Sequence, residues 1–128
     1  MEFTGGRRTT KAIGDEGEAL ALAHLKRAGL VLVERNYRVA RGPHARGGEV
    51  DLILRERDGT LVFAEVRQRA SASHGGAAAS IVAAKQRRIV LAARHYLMRW
   101  ASPPPCRFDV VAIDGAHVEW LRGAFDAG

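Results

Sequence analysis

The sequence predicts an α/β domain in which helices flank a central mixed β-sheet, in the order α-β-β-β-α-β-β. Residues 49–67 contain two runs that alternate between apolar and polar residues, which is the period of a β-strand. The turn-forming pairs Asp58-Gly59 and Asp114-Gly115 separate neighbouring strand-like segments. With 128 residues and 47% hydrophobic content, the chain is long enough to form one domain with a buried core.

The predicted elements can be placed along the chain in order. Residues 1–12 are polar and basic and are predicted to be a flexible arm, followed by a single domain over residues 13–128. A first helix is predicted over residues 15–28, capped by Asp15 and ended by Gly29. The remaining elements are a strand, a hairpin, a long helix and two closing strands, at residues 30–39, 49–67, 77–100, 107–113 and 117–121.

The composition indicates which classes of partner and compartment to expect. The net charge of +6 and the pI near 10.4 favour a polyanionic partner, nucleic acid first. No run approaches the ~18 apolar residues of a membrane span, so no membrane association is expected. Cys106 is the only cysteine, which fits a reducing, cytoplasmic setting, and we predict that its thiol is buried and inert.

The hairpin at residues 49–67 carries the most informative residues. A three-residue loop with Gly59 in the left-handed conformation would pair Asp51 with Glu65 across the two strands. A two-residue loop would instead place these carboxylates on opposite faces of the sheet, and alternation alone leaves both registers open. In the first register, like charges face each other and require neutralisation, for which a divalent cation is the simplest candidate.

Such a pair predicts a particular chemistry. Asp51, Glu65 and the backbone carbonyl of Val66 supply oxygen ligands, which suit Mg²⁺ or Mn²⁺. A phosphodiester oxygen and an attacking water would complete the coordination. Arg67 or Arg69 would then stabilise the charge that develops on the phosphate. This arrangement is typical of a metal-dependent nuclease.

Several other polar residues have two interpretations. Glu49 is either a further metal ligand or the ion-pair partner of Arg67, and we favour the ion pair. Lys85 and Arg88 lie three residues apart on the predicted long helix, and they either contact phosphates or form a solvated basic face. Asp109 lies among apolar residues of a late strand, and we expect a structural role for it.

The chain resembles the YraN-like family of predicted endonucleases, which is itself distantly similar to archaeal Holliday junction resolvases and type II restriction enzymes. The shared pattern is an aspartate on one strand followed by Glu-x-Lys on the next, and it corresponds here to Asp51 and to Glu65-Val66-Arg67. The likeness runs from about Gly14 to Ile113. Further matches to the family are Gly14, Glu18, Ala19, Leu25, Gly29, Asn36, Arg38, Gly75, Lys85 and the run Arg107-Phe108-Asp109-Val110-Val111.

This resemblance implies a restriction-endonuclease-like fold and metal-dependent hydrolysis of phosphodiester bonds in DNA, including branched DNA in repair or recombination. It implies that Asp51 and Glu65 bind the metal, and that Glu18 is a further acidic residue of the site and a candidate ligand. It also favours the three-residue hairpin loop. Because related resolvases act on two equivalent strands as dimers, a homodimer is expected by analogy.

The chain departs from the family pattern at one position, where Arg67 replaces the expected lysine. Arginine keeps the positive charge and can bind a phosphate through two parallel hydrogen bonds. We therefore expect Arg67 to stabilise charge in the reaction. The alternative is a non-catalytic nucleic-acid-binding module that keeps the nuclease fold.

Overall fold

The computed structural model describes residues 10–40, 47–68 and 81–127, with side chains from Gly14 onward. Two helices flank a five-stranded sheet with the strand order β1-β2-β3-β4-β5, so the predicted α/β class and element order are confirmed. The elements are α1 (Thr10–Arg27), β1 (Val31–Val39), β2 (Gly48–Arg55), β3 (Leu61–Gln68), α2 (Ala83–Leu97), β4 (Cys106–Asp114) and β5 (His117–Phe125).

The sheet is mixed because one of its strand pairs is parallel. Strands β3 and β4 run parallel, and the other neighbouring pairs are antiparallel. A parallel pair requires a crossover connection, and α2 lies in the segment that joins β3 to β4. Side chains alternate across the sheet, so each face carries its own apolar core. Phe63 and Ile89 lie in the core under α2, whereas Val62 and Leu25 lie in the core under α1.

Helix α1 begins earlier than the sequence indicated. It starts at Thr10, so Asp15 lies inside the helix and is not its cap, and residues 10–12 are helical although we assigned them to the arm. A glycine in a helix interior lowers helix stability by only about 1 kcal/mol, so α1 continues through Gly14. The rest of the predicted arm, residues 1–9, lies outside the described residues. The end of the helix is confirmed, because Gly29 has φ +101°.

Helix α2 is shorter than predicted. It runs from Ala83 to Leu97, and the predicted residues 77–80 lie outside the described part of the chain. Residues 98–99 form a turn beyond the last helical residue. The buried thiol predicted for Cys106 is wrong, because this residue is exposed at the first position of β4.

The hairpin register follows the three-residue loop. The paired residues of β2 and β3 run from Leu52 with Ala64 to Arg55 with Leu61. The Glu56 amide donates to the Thr60 carbonyl oxygen at 2.9 Å, which closes the loop. Gly59 has φ +93°, the left-handed conformation that this loop requires. One of the two registers that the sequence left open is therefore established, and it is the one that faces Asp51 toward Glu65.

A glycine fixes how closely α2 lies on β2. A Cβ at Gly48 would meet the Ala92 amide nitrogen at 2.6 Å and the Arg88 carbonyl oxygen at 2.7 Å. Both are backbone atoms of α2, so the helix cannot move aside cheaply. We expect Gly48→Ala to destabilise the protein by about 1–3 kcal/mol in urea unfolding.

The matched control for this substitution is Gly14→Ala, in the middle of α1. No atom lies within 4 Å of the added methyl group, and alanine is the better helix former. This variant should be neutral or more stable by up to about 1 kcal/mol. Equal stability of the Gly48→Ala variant and the wild type would contradict the close helix–strand contact.

In the described ranges, no helix is long and apolar enough to cross a membrane.

Candidate metal site between the hairpin and the helices

Asp51 and Glu65 are adjacent at the end of the regular β2–β3 pairing. They lie one step beyond the Leu52–Ala64 pair in the register, close enough for the charge of Asp51 to raise the pKa of Glu65. The Val66 amide donates to Asp51 Oδ2 at 2.8 Å, which orients this carboxylate. Glu65 is only 3% exposed. The strand geometry therefore holds two carboxyl groups together in a largely dry environment.

The backbone of the neighbouring strand β1 is unusual at the same level of the sheet. Asn36 has φ +52°, and the register between β1 and β2 places it opposite Asp51. Asparagine visits the left-handed conformation more readily than most residues because its short side chain can hydrogen-bond locally. In the sequence, the only sign of this conformation is an asparagine within a strand-like segment, and Asn36 was noted there only as a match to the family.

Burial and mutual repulsion change the acidity of the pair. Burial, and then the charge of Asp51, raise the pKa of Glu65 to about 8, although the Lys85 ammonium opposes this rise. Burial also raises the pKa of Asp51, against the hydrogen bond from the Val66 amide. Two carboxyl groups this close cannot both ionise easily. Near neutral pH, the pair therefore retains a proton unless another positive charge enters the site.

Glu18 on α1 lies within the electrostatic field of this pair. Burial, and then the charge of Asp51, raise the pKa of Glu18, whereas its ion pair with Arg35 lowers that pKa. The Arg35 Nη2 atom lies 3.4 Å from Glu18 Oε1. The structure thus brings the predicted third acidic residue near Asp51 from α1, and it adds Arg35, which the sequence did not single out.

Helix α2 contributes two cations, and both are paired with carboxylates of this region. Lys85 Nζ lies 3.3 Å from Glu65 Oε2, and Arg88 forms an ion pair with Glu49. The predicted Glu49–Arg67 ion pair is therefore wrong: α2 packs against β2 at Gly48, and this close approach brings Arg88 to Glu49. Arg69, the third predicted phosphate-binding residue, lies outside the described residues.

The outer side of α2 is also basic. A surface cavity of about 720 Å³ is lined by Arg87, Arg88 and Arg94, with Asp126 at its edge. It lies along the helix and not over Asp51 and Glu65. The sequence analysis did not identify Arg94 as a residue of this basic cavity, because nothing in the helical pattern distinguishes it from an ordinary solvated arginine.

One carboxylate oxygen of the Asp51–Glu65 pair has no hydrogen-bond partner among the described residues, and a bound metal could interact with it. Glu65 Oε1 is buried and accepts no hydrogen bond from the described residues. An unsatisfied buried carboxylate oxygen is costly, and a divalent cation would remove that cost. The donor set of Asp51, Glu65 and the Val66 carbonyl therefore fits Mg²⁺ or Mn²⁺, which keep water ligands when protein ligands are few.

The remaining candidate ligands are engaged elsewhere. Glu18 and Glu49 are each paired with an arginine. Within the part of the chain that the structure describes, no three His, Cys, Asp or Glu side chains gather closely enough to hold a metal ion. A bound metal would thus depend on the two hairpin carboxylates, with backbone, water or substrate oxygens completing its coordination.

The raised pKa of Glu65 predicts an unusual dependence of stability on pH. Its pKa is 4.5 in an ordinary setting and about 8 in the folded protein, so the folded state binds more protons than the unfolded state between these values. Stability should therefore fall as pH rises through this window. Glu65→Gln cannot lose this proton, so the free energy of unfolding of this variant, measured without metal, should fall less steeply.

Adding Mg²⁺ should restore stability to the wild type at the alkaline end of the window, and to a much smaller extent in the Glu65→Gln variant. Urea unfolding at a series of pH values, with and without metal, measures both effects. Parallel pH profiles for the two proteins would contradict the protonated pair.

Asp109 is fully buried but belongs to a different part of the fold. Its carboxylate accepts hydrogen bonds from Arg107 Nε at 3.0 Å, Trp120 Nε1 at 2.9 Å and the Gly123 amide at 3.0 Å. The register between β4 and β5 shifts at this point, and the carboxylate fills the irregularity. The expected structural role of Asp109 agrees with these contacts.

Comparison with known proteins gives the chain a family. The model of the Uncharacterised protein family UPF0102 matches residues 17–113, a range that includes Glu18, Asp51, Glu65 and Lys85. The chain is 75% identical to UPF0102 protein Mpe_A3766 of Methylibium petroleiphilum over 93% of this chain and 98% of the relative. It is 67% identical to a UPF0102 protein of an Acidovorax species, over 94% of this chain and 89% of the relative. A UPF0102 protein of Cupriavidus taiwanensis is 60% identical over 91% of this chain and 85% of the relative. The chain therefore belongs to the UPF0102 family.

Proposed function

We propose that this protein is a metal-dependent nuclease that hydrolyses phosphodiester bonds in DNA. The observation that carries the proposal is the buried Asp51–Glu65 pair, in which Glu65 Oε1 has no hydrogen-bond partner among the described residues. The pair occupies the positions of the Asp and Glu-x-Lys pattern, and the mixed sheet with its flanking helices is compatible with a restriction-endonuclease-like fold. The net charge of +6 favours a nucleic-acid substrate.

The chemistry follows from the groups that surround the pair. Water adds to the phosphorus atom, the bond to the leaving oxygen breaks, and the leaving oxygen takes up a proton. A bound Mg²⁺ or Mn²⁺ would supply positive charge to the phosphate and lower the pKa of water. Asp51 and Glu65 would hold the metal with the Val66 carbonyl, while Glu18 adds negative charge nearby that favours a cation. Arg67 and Lys85 are the cations available to the phosphate.

The test is cleavage of labelled single-stranded DNA, duplex DNA, four-way-junction DNA and RNA, with Mg²⁺ or Mn²⁺ and with EDTA. We expect cutting that requires metal, and the preferred substrate identifies branched, duplex or single-stranded DNA as the target. Absence of cutting on every substrate with either metal would reject the nuclease proposal.

A second candidate is a non-catalytic nucleic-acid-binding module, and the arginine at position 67 favours it. Such a module would bind DNA without metal, release it steeply as salt rises, and leave it intact. Measuring binding in EDTA over a range of salt, alongside the cleavage assay, separates the two candidates. Metal-dependent cutting would exclude the module.

We also propose that the protein acts in the cytoplasm and as a homodimer, the latter by analogy with resolvases that cut two equivalent strands. Sedimentation at micromolar concentration, with and without junction DNA, tests the assembly. A monomer under both conditions would contradict the dimer and leave the nuclease proposal unaffected.

A further inference from the structure

The ammonium group nearest to the carboxylate pair comes from α2 and not from the hairpin. Lys85 is in the first turn of α2, which begins at Ala83. Its side chain is 24% exposed and points toward the sheet, with Nζ 3.3 Å from Glu65 Oε2. Its charge lowers the pKa of both Asp51 and Glu65, so it acts on the whole pair. Lys85 thus lies inside the candidate site.

Arg67, which occupies the motif position, does not make this contact. It follows Glu65 by two residues on β3, and among the described residues it forms no ion pair with Glu65, whereas Lys85 does. A lysine ammonium is a compact point charge with rotatable donors, whereas a guanidinium requires a planar geometry for its hydrogen bonds. The site therefore still contains a lysine, although its motif position holds arginine.

We propose that Lys85 is a catalytic residue of the nuclease, donating to a non-bridging oxygen of the phosphate that is cut. The proposal rests on the proposed function. Asp51 and Glu65 would hold the metal, which would supply positive charge to these carboxylates. The Lys85 ammonium, which pairs with Glu65 in this structure, would then donate to the anionic phosphate oxygen. In this arrangement α2 supplies the cation that the Glu-x-Lys pattern would otherwise place on β3.

The position of Lys85 at the start of α2 favours the same ligand. The N-terminal end of a helix carries partial positive charge from its unpaired amide groups. Val82, the N-cap residue of α2, provides no side-chain hydrogen bond to those amides. An anionic phosphate oxygen near Lys85 would therefore lie in a favourable field from both the ammonium and the helix.

The test compares Lys85→Gln with Arg87→Gln, which removes one positive charge from an exposed position of α2 two residues away. On the DNA substrate that the wild type cuts, Lys85→Gln is expected to lower the cleavage rate by about 100-fold or more. Arg87→Gln is expected to remain within about tenfold of the wild type, because Arg87 lines the surface cavity that does not lie over Asp51 and Glu65. Lys85→Arg keeps a cation and should recover at least about tenfold of the loss.

Metal affinity provides a second measurement. The Lys85→Gln variant should bind Mg²⁺ more weakly if Lys85 only holds the site together, and equally or more tightly if Lys85 is catalytic. The Lys85 ammonium repels a cation at the two carboxylates, and Lys85→Gln removes this repulsion. Calorimetry near pH 9 should therefore show equal or tighter Mg²⁺ binding in the Lys85→Gln variant. Slower cleavage combined with weaker Mg²⁺ binding would overturn the proposal and make Lys85 a structural residue. Thermal unfolding of each variant verifies that it is folded in the assay.

Failure of this inference is distinguishable from failure of the proposed function. If the wild type cuts DNA and Lys85→Gln cuts equally fast, the inference is wrong and the nuclease stands. A loss in Arg87→Gln as large as that in Lys85→Gln would also overturn it. If the wild type cuts no DNA with either metal, the proposed function fails and the inference fails with it.

Discussion

Replacing Asp51 with asparagine is expected to reduce metal-dependent cleavage by about 10³-fold or more, comparable to the loss of a group that stabilises the transition state. The substitution removes one of the two carboxylates that would hold the metal, while the amide oxygen can still accept the hydrogen bond from the Val66 amide. It also removes a partly buried charge that repels Glu65. The fold should therefore persist, and stability without metal should be equal or higher.

The measurement is the single-turnover cleavage rate on the preferred substrate, together with Mg²⁺ titration by calorimetry. Asp58→Asn is the matched control, because Asp58 lies in the hairpin turn and its contact to the Thr60 amide can be made equally by asparagine. The control should cut at the wild-type rate. If the Asp51→Asn variant cuts as fast as the wild type, the assignment of the metal site is wrong.

Replacing Asp109 with alanine is expected to have the largest effect on stability, a loss of about 2–4 kcal/mol. The carboxylate is completely buried and accepts from three donors, Arg107, Trp120 and the Gly123 amide. Its removal leaves the N–H groups of Trp120 and Gly123 without this acceptor, whereas Arg107 keeps its ion pair with Glu56. The two unsatisfied N–H groups and the space left by the carboxylate oppose folding.

Urea unfolding monitored by circular dichroism measures this loss. Asp126→Ala removes the same charge from an exposed position after β5 and should change stability by less than about 0.5 kcal/mol. Asp109→Asn keeps one oxygen acceptor and should lie between the alanine variant and the wild type. A loss below about 1 kcal/mol for Asp109→Ala would show that the network contributes little to the fold.

The order of the elements was accessible from the sequence because local rules determine it, whereas alternation left two hairpin registers open and the family resemblance favoured the one that forms. Gly29 and Gly59 adopt the left-handed conformations that their positions in the pattern predicted. Asp58-Gly59 was compatible with a two-residue or a three-residue loop, and the three-residue loop that forms determines which side chains face each other along the two strands. The approach of Asp51 to Glu65 is thus a local consequence of turn geometry.

The predicted start of α1 was wrong because the capping preference of a single residue is a weak local signal. Asp15 has the chemistry of an N-cap, but residues 10–14 are compatible with a helix, and the chain continues it back to Thr10. Capping preference is worth only about 1 kcal/mol and does not prevent an earlier start.

The partners of the site carboxylates required the tertiary structure. Lys85 and Arg88 look like a solvated basic face in the sequence, yet they bind Glu65 and Glu49, because the packing of α2 against Gly48 sets the rotation of the helix. A helical period gives the spacing of residues around a helix but not which side of it faces the sheet.

The sequence by itself determined the α/β class, the element order, the carboxylate pair and the family, because periodicity, turn chemistry and motif spacing are properties of neighbouring residues. The tertiary structure decided the partner of Glu49, the inward position of Lys85, the exposure of Cys106 and the donors around Asp109. These features depend on contacts between residues far apart in the chain, where packing and burial outweigh local preference.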